Sequence, residues 1–375
     1  MVVWFLRVVA VRTEAYDTKT IFLRREDNQP FPYAAGQFLT FLFKRHGRDL
    51  RRSYSFCTTP GIDPLPGITV KRVTNGEISR YLLDQLQPGD LLKSLPPSGR
   101  FFLGKDAETH VFIAAGSGLV PVFSLVKQAL SRLSNPACQT LLLTQQHDAA
   151  STPFRDELEA LASGRNERTS GGSGRTPLET LASGHGNPVT IRSGRGAFKW
   201  IDWLTVRDGR INNWRLEEWL FALLSREAIA RTQFYLCGPP AFMRMAEFTL
   251  RTLGIAETQI RKEHFTVEHQ PGPPPDFDDT AKKVVLRAGS ERHVFEAKWP
   301  KTILQAGLDR GIPLPYSCRA GRCSSCVARC MQGRVRMTNN EVLTDSDLRD
   351  GLILTCVGYA ETDVELTFGN PDAPA

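Results

Sequence analysis

The sequence predicts a multidomain chain: a β-barrel domain, an α/β nucleotide-binding domain, and a small C-terminal module organised by cysteines. Three observations predict it. From Val2 to about Leu103, short apolar alternations are separated by turn clusters, the pattern of short strands closing into a small barrel. Near Gly104 the pattern changes to continuous apolar runs followed by glycine turns and helical stretches, as expected of parallel strands buried on both faces. Close to the C-terminus, Cys318, Cys323, Cys326 and Cys356 stand at cluster-ligand spacing.

Length and charge narrow the function classes. At 375 residues the chain has room for two or three domains. Its 41% hydrophobic and 23% charged content is that of an ordinary globular protein. The formal charge is +7, yet no Lys/Arg run is dense enough for a nucleic-acid footprint. The excess points instead to anionic cofactors or an acidic partner protein. No stretch approaches the roughly 18 apolar residues of a membrane span. Met1 to Ala10 is apolar but interrupted by Arg7, so it reads as a first strand rather than a signal peptide.

In the barrel region, residues 1–103, turn clusters at Arg25–Pro30 and Pro60–Pro64 punctuate the strands. Gly36-Gln37-Phe38 precedes an apolar strand, and Arg51-Arg52-Ser53-Tyr54-Ser55 follows it. Asn75-Gly76-Glu77-Ile78-Ser79 opens a helix expected to run to Leu86. A helix N-terminus carries about half a positive charge and unpaired N–H groups, a seat for an anion at Gly76, Ile78 and Ser79. Taken alone, Arg52 reads as a solvated arginine and Tyr54 as a barrel-face aromatic.

Residues 104–269 form the α/β unit. The run Val111–Ala115 leads into Gly116-Ser117-Gly118-Leu119-Val120-Pro121, then a helix from about Val122 to Leu133. Two glycines let backbone approach a pyrophosphate, and Pro121 suits a first helical turn. Thr140–Thr144 is a second buried strand. Phe234-Tyr235-Leu236-Cys237-Gly238-Pro239-Pro240 repeats the strand-then-turn arrangement, with a helix opening at Met243. Between them, residues 163–196 are rich in Gly, Ser and Arg and read as a flexible surface insert. Leu158–Gly164 is echoed at Leu178–Gly184, too few copies for a solenoid. Trp-rich pieces at 199–204 and 213–220 read as core. Residues 270–280, with Pro271, Pro273, Pro274 and Pro275, are the linker to residues 281–375.

The cysteines follow C-x4-C-x2-C, then twenty-nine residues, then C. Four thiolates are what two irons bridged by two sulfides require. A structural zinc site usually shows two C-x2-C pairs, and a disulfide framework suits short secreted chains. Gly321 relieves the backbone where side chains would crowd the sulfides. From Lys282 to Phe368 the chain resembles plant-type ferredoxins, including Ile303-Leu304-Gln305-Ala306 and Leu343-Thr344-Asp345. That resemblance implies a β-grasp fold; Ser324 departs from the glycine many members carry. Cys330 reads as a packed or spare thiol. Cluster cysteines must stay reduced, which suits the cytoplasm.

The motifs upstream, in this order, resemble the ferredoxin–NADP reductase superfamily. The resemblance implies that Arg52 pairs with flavin phosphate, with Ser53 beside it, and that Tyr54 lies against the isoalloxazine. It implies Ser55 near the flavin N5, Cys237 with Gly238 and Pro239 beside the nicotinamide, and, more weakly, Phe265 near the flavin. Ser55 and Cys237 are thus the catalytic candidates. The domain order resembles reductase components of multicomponent oxygenases, such as the phenylacetyl-CoA epoxidase reductases. FAD is expected rather than FMN, because Gly76–Ser79 offers a pyrophosphate seat. Nicotinamide gives two electrons as hydride, a plant-type cluster takes one at about −400 mV, and flavin can do both. The implied acceptor is an oxygenase with an acidic docking face; rivals are a hybrid-cluster protein, a desaturase, or a non-enzymatic iron–sulfur sensor. NADH is expected over NADPH, because Thr144-Gln145-Gln146-His147-Asp148 offers no arginine or lysine for a 2′-phosphate. There Gln145 and Gln146 are expected to meet ribose hydroxyls.

Replacing Cys318, Cys323, Cys326 or Cys356 by Ser is expected to abolish the cluster, while Cys330→Ser spares it. Iron and labile-sulfide assays on the purified variants check this.

Overall fold

The computed structural model describes residues 2–104, 107–132, 139–163, 178–181, 189–193, 198–265, 277–288 and 291–368. Strands β1 (Trp4–Ala15), β2 (Thr18–Arg25), β3 (Phe38–Arg45), β4 (Arg48–Ser55), β5 (Gly67–Lys71) and β6 (Leu91–Ser94) form an antiparallel sheet. Their order is β4-β3-β6-β1-β2-β5. A bridge between Phe56, just past β4, and Ile68 of β5 joins the two edges into the expected barrel. Alternate residues point inward: Leu6 and Val8, Ile21 and Leu23, Leu39 and Phe41, Ile68 and Val70 are all buried. Helix α1 (Glu77–Asp84) plugs this core with Ile78, Leu82 and Leu83, one apolar stripe at helical spacing. It is shorter at both ends than the sequence implied.

The second domain contains β7 (Thr109–Ala115), α2 (Leu119–Ser131), β8 (Gln139–Gln146), α3 (Arg155–Ser163), β9 (Leu178–Leu181) and β10 (Val189–Ser193). It continues with β11 (Phe198–Leu204), α4 (Thr205–Asp208), α5 (Asn213–Leu223), α6 (Arg226–Ile229), β12 (Thr232–Cys237), α7 (Pro240–Thr252) and β13 (Ile260–Glu263). The sheet runs β13-β12-β7-β8-β11-β10-β9, parallel from β13 to β11. Helices α5 and α7 cover one face through Leu216, Trp219, Met243 and Leu250, and α2 and α3 cover the other through Val122, Leu125 and Leu158. Burial on both faces explains the unbroken apolar run of β7. Trp200, Trp203 and Trp219 are core, as expected, whereas Trp214 is exposed.

The insert differs from its reading as a surface loop. Its described pieces, β9 and β10, pair antiparallel and extend the sheet from β11. β-Branched Val189-Thr190-Ile191 suits a strand, and the pair β9–β10 covers what would be an open edge at β11. The Gly/Ser-rich remainder, and most of the proline linker, lie outside the described residues.

Barrel and nucleotide domain are welded. Ala35, Cys57, Phe101 and Leu103 join the apolar cluster around α2. Across this seam Thr59 Oγ1 donates to the Ser124 carbonyl at 2.8 Å, and Ser124 Oγ donates to the Thr58 carbonyl at 2.8 Å.

The third domain comprises β14 (Lys282–Ala288), β15 (Glu291–Ala297), α8 (Ile303–Asp309), β16 (Val327–Gln332), β17 (Val335–Met337), α9 (Asp345–Arg349), β18 (Leu352–Leu354), β19 (Gly358–Ala360) and β20 (Val364–Phe368). Its mixed sheet, β15-β14-β20-β16-β18, is parallel only between β14 and β20. Helix α8, capped by Thr302, lays Ile303, Leu304 and Ala306 into the core with Val284, Leu286 and Phe295. This is the β-grasp arrangement the cysteine region implied.

Candidate redox site

The nucleotide turns meet at the carboxyl ends of the parallel strands, where open α/β sheets bind ligands. β12 lies beside β7 with Cys237 opposite Ala114, which brings Gly116–Gly118 against Cys237-Gly238. A side chain on Gly118 would place its Cβ 2.2 Å from the Cys237 carbonyl oxygen, so only glycine fits there. Ser117 lies in that turn, and Pro121 is buried in the first turn of α2. Pro239 is the N-cap of α7. Neither α2 nor α7 has a side-chain cap at its N-terminus; Leu119 already donates to the Gly116 and Ser117 carbonyls and Pro121, Pro239 and Pro240 carry no N–H, so an anion there would meet the amides of Val120 and Ala241.

Ser55 and Cys237 converge on a residue that the sequence did not single out. Glu263 sits opposite Cys237 across β12 and β13. Ser55 Oγ donates to Glu263 Oε1 at 3.2 Å, and Oε2 has no hydrogen-bond partner among the described residues. Burial pushes the Glu263 carboxyl up to about 8, against the opposing effect of the Ser55 hydrogen bond. Burial, with Glu263 beside it, pushes the Cys237 thiol well above its ordinary value. Both shifts favour the neutral forms, so the pair is suited to holding a proton rather than to acting as a nucleophile. The signal for Glu263 is its place at a strand end in Glu263-His264-Phe265, where the superfamily resemblance points to Phe265 alone. Phe265 itself is 45% exposed.

Strand β4 sorts its side chains by alternation. Arg51, Ser53 and Ser55 share one face; Arg52 and Tyr54 share the other. Arg52 is exposed and uses Nη1 on the Arg51 carbonyl at 2.8 Å. Tyr54 is half-buried beside Phe41, with ring centroids 6.1 Å apart, and burial pushes its phenol up to about 12. Gly76 is the N-cap of α1 and has no side chain to cap it. Ser79 Oγ accepts from the Val73 amide at 3.1 Å and donates to the Gly76 carbonyl at 3.2 Å, which shapes the turn. Ile78 is buried, so only its backbone faces a ligand. An exposed cationic fork, a tyrosine face and an uncapped helix end are a donor set that fits a flavin dinucleotide.

The four cysteine sulfurs gather. Cys318 lies within sulfur hydrogen-bonding reach of Cys323 and Cys356, and Cys356 within reach of Cys326. Backbone N–H groups aim at them: Cys318 to Cys323 Sγ at 3.3 Å, Ala320 and Arg322 to Cys318 Sγ at 3.4 and 3.5 Å. Such donors favour thiolate at Cys318, the form that ligates iron. Among the described residues no three His, Cys, Asp or Glu side chains converge on a single-ion site. A two-iron cluster asks for only two cysteines at each iron. Gly321 has φ +76°, and a Cβ there would lie 2.8 Å from the Asn339 carbonyl oxygen. Ser324 takes a left-handed conformation with φ 55°, which explains the glycine preference of the ferredoxins it resembles. Cys330 lies along β16 and donates its thiol to the Gln332 carbonyl at 3.4 Å.

Residues 6–103 match the oxidoreductase FAD-binding domain family, and residues 287–361 match the 2Fe-2S iron-sulfur cluster binding domain family. The chain is 32% identical over 346 residues to the ferredoxin reductase component of a 3-ketosteroid-9-alpha-monooxygenase from Mycobacterium tuberculosis, covering 90% of this chain and 85% of that one. It is 28% identical to an Escherichia coli 1,2-phenylacetyl-CoA epoxidase subunit, covering 97% of each. Two solved structures share the fold. Phthalate dioxygenase reductase overlays with a TM-score of 0.55 at 22% identity, covering 97% of each chain. A self-sufficient cytochrome P450 monooxygenase overlays with a TM-score of 0.67 at 21% identity; 97% of this chain is covered but only 40% of that one.

The Glu263 carboxyl sets a pH dependence. Between about 4.5 and about 8 the folded chain keeps a proton that the unfolded chain has released, so stability falls as pH rises through that window. Glu263→Gln is expected to flatten the fall, worth a few kcal/mol at most. Thermal unfolding followed from pH 5 to about 8 checks it; parallel slopes for the two proteins would contradict it.

Proposed function

The chain belongs to the family of FAD- and 2Fe–2S-containing reductase components of oxygenase systems, and on that premise we propose that it takes hydride from NADH and delivers single electrons to an oxygenase. One observation carries this reading: a single strand, β4, contacts Glu263 at the nucleotide edge and the cysteine loop at Tyr316 and Ser317. Bound flavin would accept two electrons as hydride and release them one at a time. Arg52, Tyr54 and the backbone of Gly76–Ser79 would hold it, and Ser55 would meet the ring edge where Glu263 and Cys237 keep their protons. The backbone at Gly116–Gly118 and Gly238-Pro239 would admit the pyrophosphate and nicotinamide. Cys318, Cys323, Cys326 and Cys356 would ligate the cluster. The Ser55–Glu263–Cys237 group, built at the nucleotide edge, favours an enzyme over a sensor. The requirement for reduced cluster ligands favours the cytoplasm.

Coenzyme choice follows from what surrounds the end of β8. Gln146 is buried and donates to the Gly116 carbonyl at 3.1 Å, which removes it from ribose contact and leaves Gln145. Gln145 Oε1 accepts from the Ile211 amide at 2.8 Å, so its NH2 is the group that can reach a hydroxyl. Arg155 pairs with Asp202 at 2.8 Å and with Glu159 at 3.1 Å, two carboxylates that offset its charge toward a 2′-phosphate. Asp148 accepts from the Ser151 amide at 2.8 Å, which holds its carboxylate below the usual range and keeps it anionic. NADH is therefore expected to give the higher kcat/KM in anaerobic ferricyanide reduction. A preference for NADPH would overturn the assignment, and no bleaching of bound flavin by either coenzyme would overturn the function.

Arg319, Arg322, Arg329, Arg334 and Arg336 stand around the cysteines in sequence. Arg322 pairs with Glu341 at 2.8 Å, Arg329 donates to the Asp350 carbonyl at 2.9 Å and Arg334 lies 3.8 Å from Glu361, while Arg319, Arg334 and Arg336 are exposed. These three are our candidates for meeting an acidic face on the oxygenase. Electron delivery to that partner should slow steeply as salt rises toward about 0.5 M, because screening removes the steering. Rates independent of salt would count against the docking face.

A further inference from the structure

The cluster loop touches the barrel at few points, and each adjoins a redox motif. The ring of Tyr316, two residues before Cys318, packs against two guanidinium groups. Arg51 of β4 lies 3.7 Å from its centroid and Arg319 lies 4.3 Å from it. Arg51 Nη1 also donates to the Tyr316 carbonyl at 2.9 Å. The next residue, Ser317, shares a hydrogen bond between its Oγ and Ser53 Oγ at 2.7 Å, and Ser53 Oγ lies 2.9 Å from Thr40 Oγ1. On the loop's other flank Glu341, paired with Arg322, lies 3.3 Å from His264 Nε2.

A cleft of about 420 Å³ lies between barrel and cluster domain, bounded by Pro96, Pro97 and Arg100 on the barrel and by Pro313, Ser324 and Ser325 beside the cysteines. Arg100 bridges to Asp347 at its margin. Unlike the apolar seam between barrel and nucleotide domain, this junction has polar anchors around open space. Such an arrangement makes the geometry of the cluster depend on particular side chains.

We propose that Tyr316 and Ser317, with Arg51 opposite, are positioning residues that hold the Cys318 corner of the cluster against β4 and so set the rate of electron passage from flavin to cluster. This rests on the reductase reading. One NADH oxidised to NAD+ supplies two electrons and releases a proton after both have left the flavin. A cluster held by Cys318, Cys323, Cys326 and Cys356 would take the two electrons one at a time and hand each to an external acceptor.

The test uses the full chain with both cofactors, under anaerobic stopped flow, comparing Tyr316→Leu, Tyr316→Phe, Ser317→Ala and Arg51→Gln. Flavin reduction by NADH should keep its rate in all four. Cluster reduction should slow by about three- to thirtyfold in Tyr316→Leu and Arg51→Gln, the range spanned by a cation–π contact from exposed to desolvated sites. Ser317→Ala should slow it several-fold, and Tyr316→Phe, which keeps the ring, should restore it. Arg51→Gln acts from the barrel side, so it reports on the dock even if the loop variants lose their cluster. Unchanged cluster reduction in Arg51→Gln would overturn the proposal. So would an altered cluster potential or EPR signal accounting for the slowing, since that would make these residues tuners of the cluster rather than positioners. Failure of NADH to reduce the flavin of the unaltered protein would instead sink the reductase reading, and is distinguished by that first phase.

Discussion

Side chains along a strand alternate between faces, and β4 turns that constraint into a three-way junction. Within five residues, Arg51 and Ser53 reach the cluster loop, Ser55 reaches Glu263 in the nucleotide domain, and Arg52 and Tyr54 face the opposite way. A shift of one residue in the pairing of β4 with β3 would exchange the two faces. The register is fixed by Leu39 and Phe41 of β3, which must point into the barrel core. Packing of buried aliphatic and aromatic groups in the first domain therefore decides where the polar groups of all three domains meet.

The two junctions that β4 serves are built differently. Barrel and nucleotide domain share an apolar cluster crossed by buried hydroxyl-to-carbonyl hydrogen bonds, each worth about 1 kcal/mol and costly to break once buried. Hydride transfer needs reacting atoms held at roughly 3 to 3.5 Å, which such a seam can provide. The junction to the cluster domain is a ring of cation–π, hydroxyl and ion-pair contacts around a cleft. The Arg100–Asp347 pair is largely shielded from solvent, so what it gains by attraction is offset by the cost of desolvating both charges. A polar junction suits a domain that must also present its cluster to another protein.

Glu263 shows how a fold changes the chemistry of a residue. In sequence it is one carboxylate among forty acidic residues. In the structure it is half-buried at the end of β13, its Oε2 shielded from solvent, with a hydroxyl and a thiol as neighbours, and desolvation raises its pKa into the neutral range. Removing water from around a charge disfavours the charge, and the single hydrogen bond from Ser55 offsets only part of that loss. That property belongs to the site and not to the residue type.

The sequence alone determined the domain order, the buried parallel strands, the glycine turns and the cysteine set. Each of these is a local pattern: an apolar run leading into a glycine turn and a helix at Val111–Pro121, alternation in β1 to β5 because one face is buried, and three closely spaced thiols followed by a distant fourth. The tertiary structure alone decided what depends on neighbours far along the chain. It desolvated Glu263, turned Arg322 toward Glu341, engaged Gln146 with Gly116, and drew two strands of the insert onto the edge of β11. It also set Tyr316 against Arg51 and Arg319, the first a contact spanning 265 residues. Periodicity and spacing report on the few residues either side of a position. Burial, pairing and charge state are set by whichever segments the fold brings alongside, and these leave no local trace in the sequence.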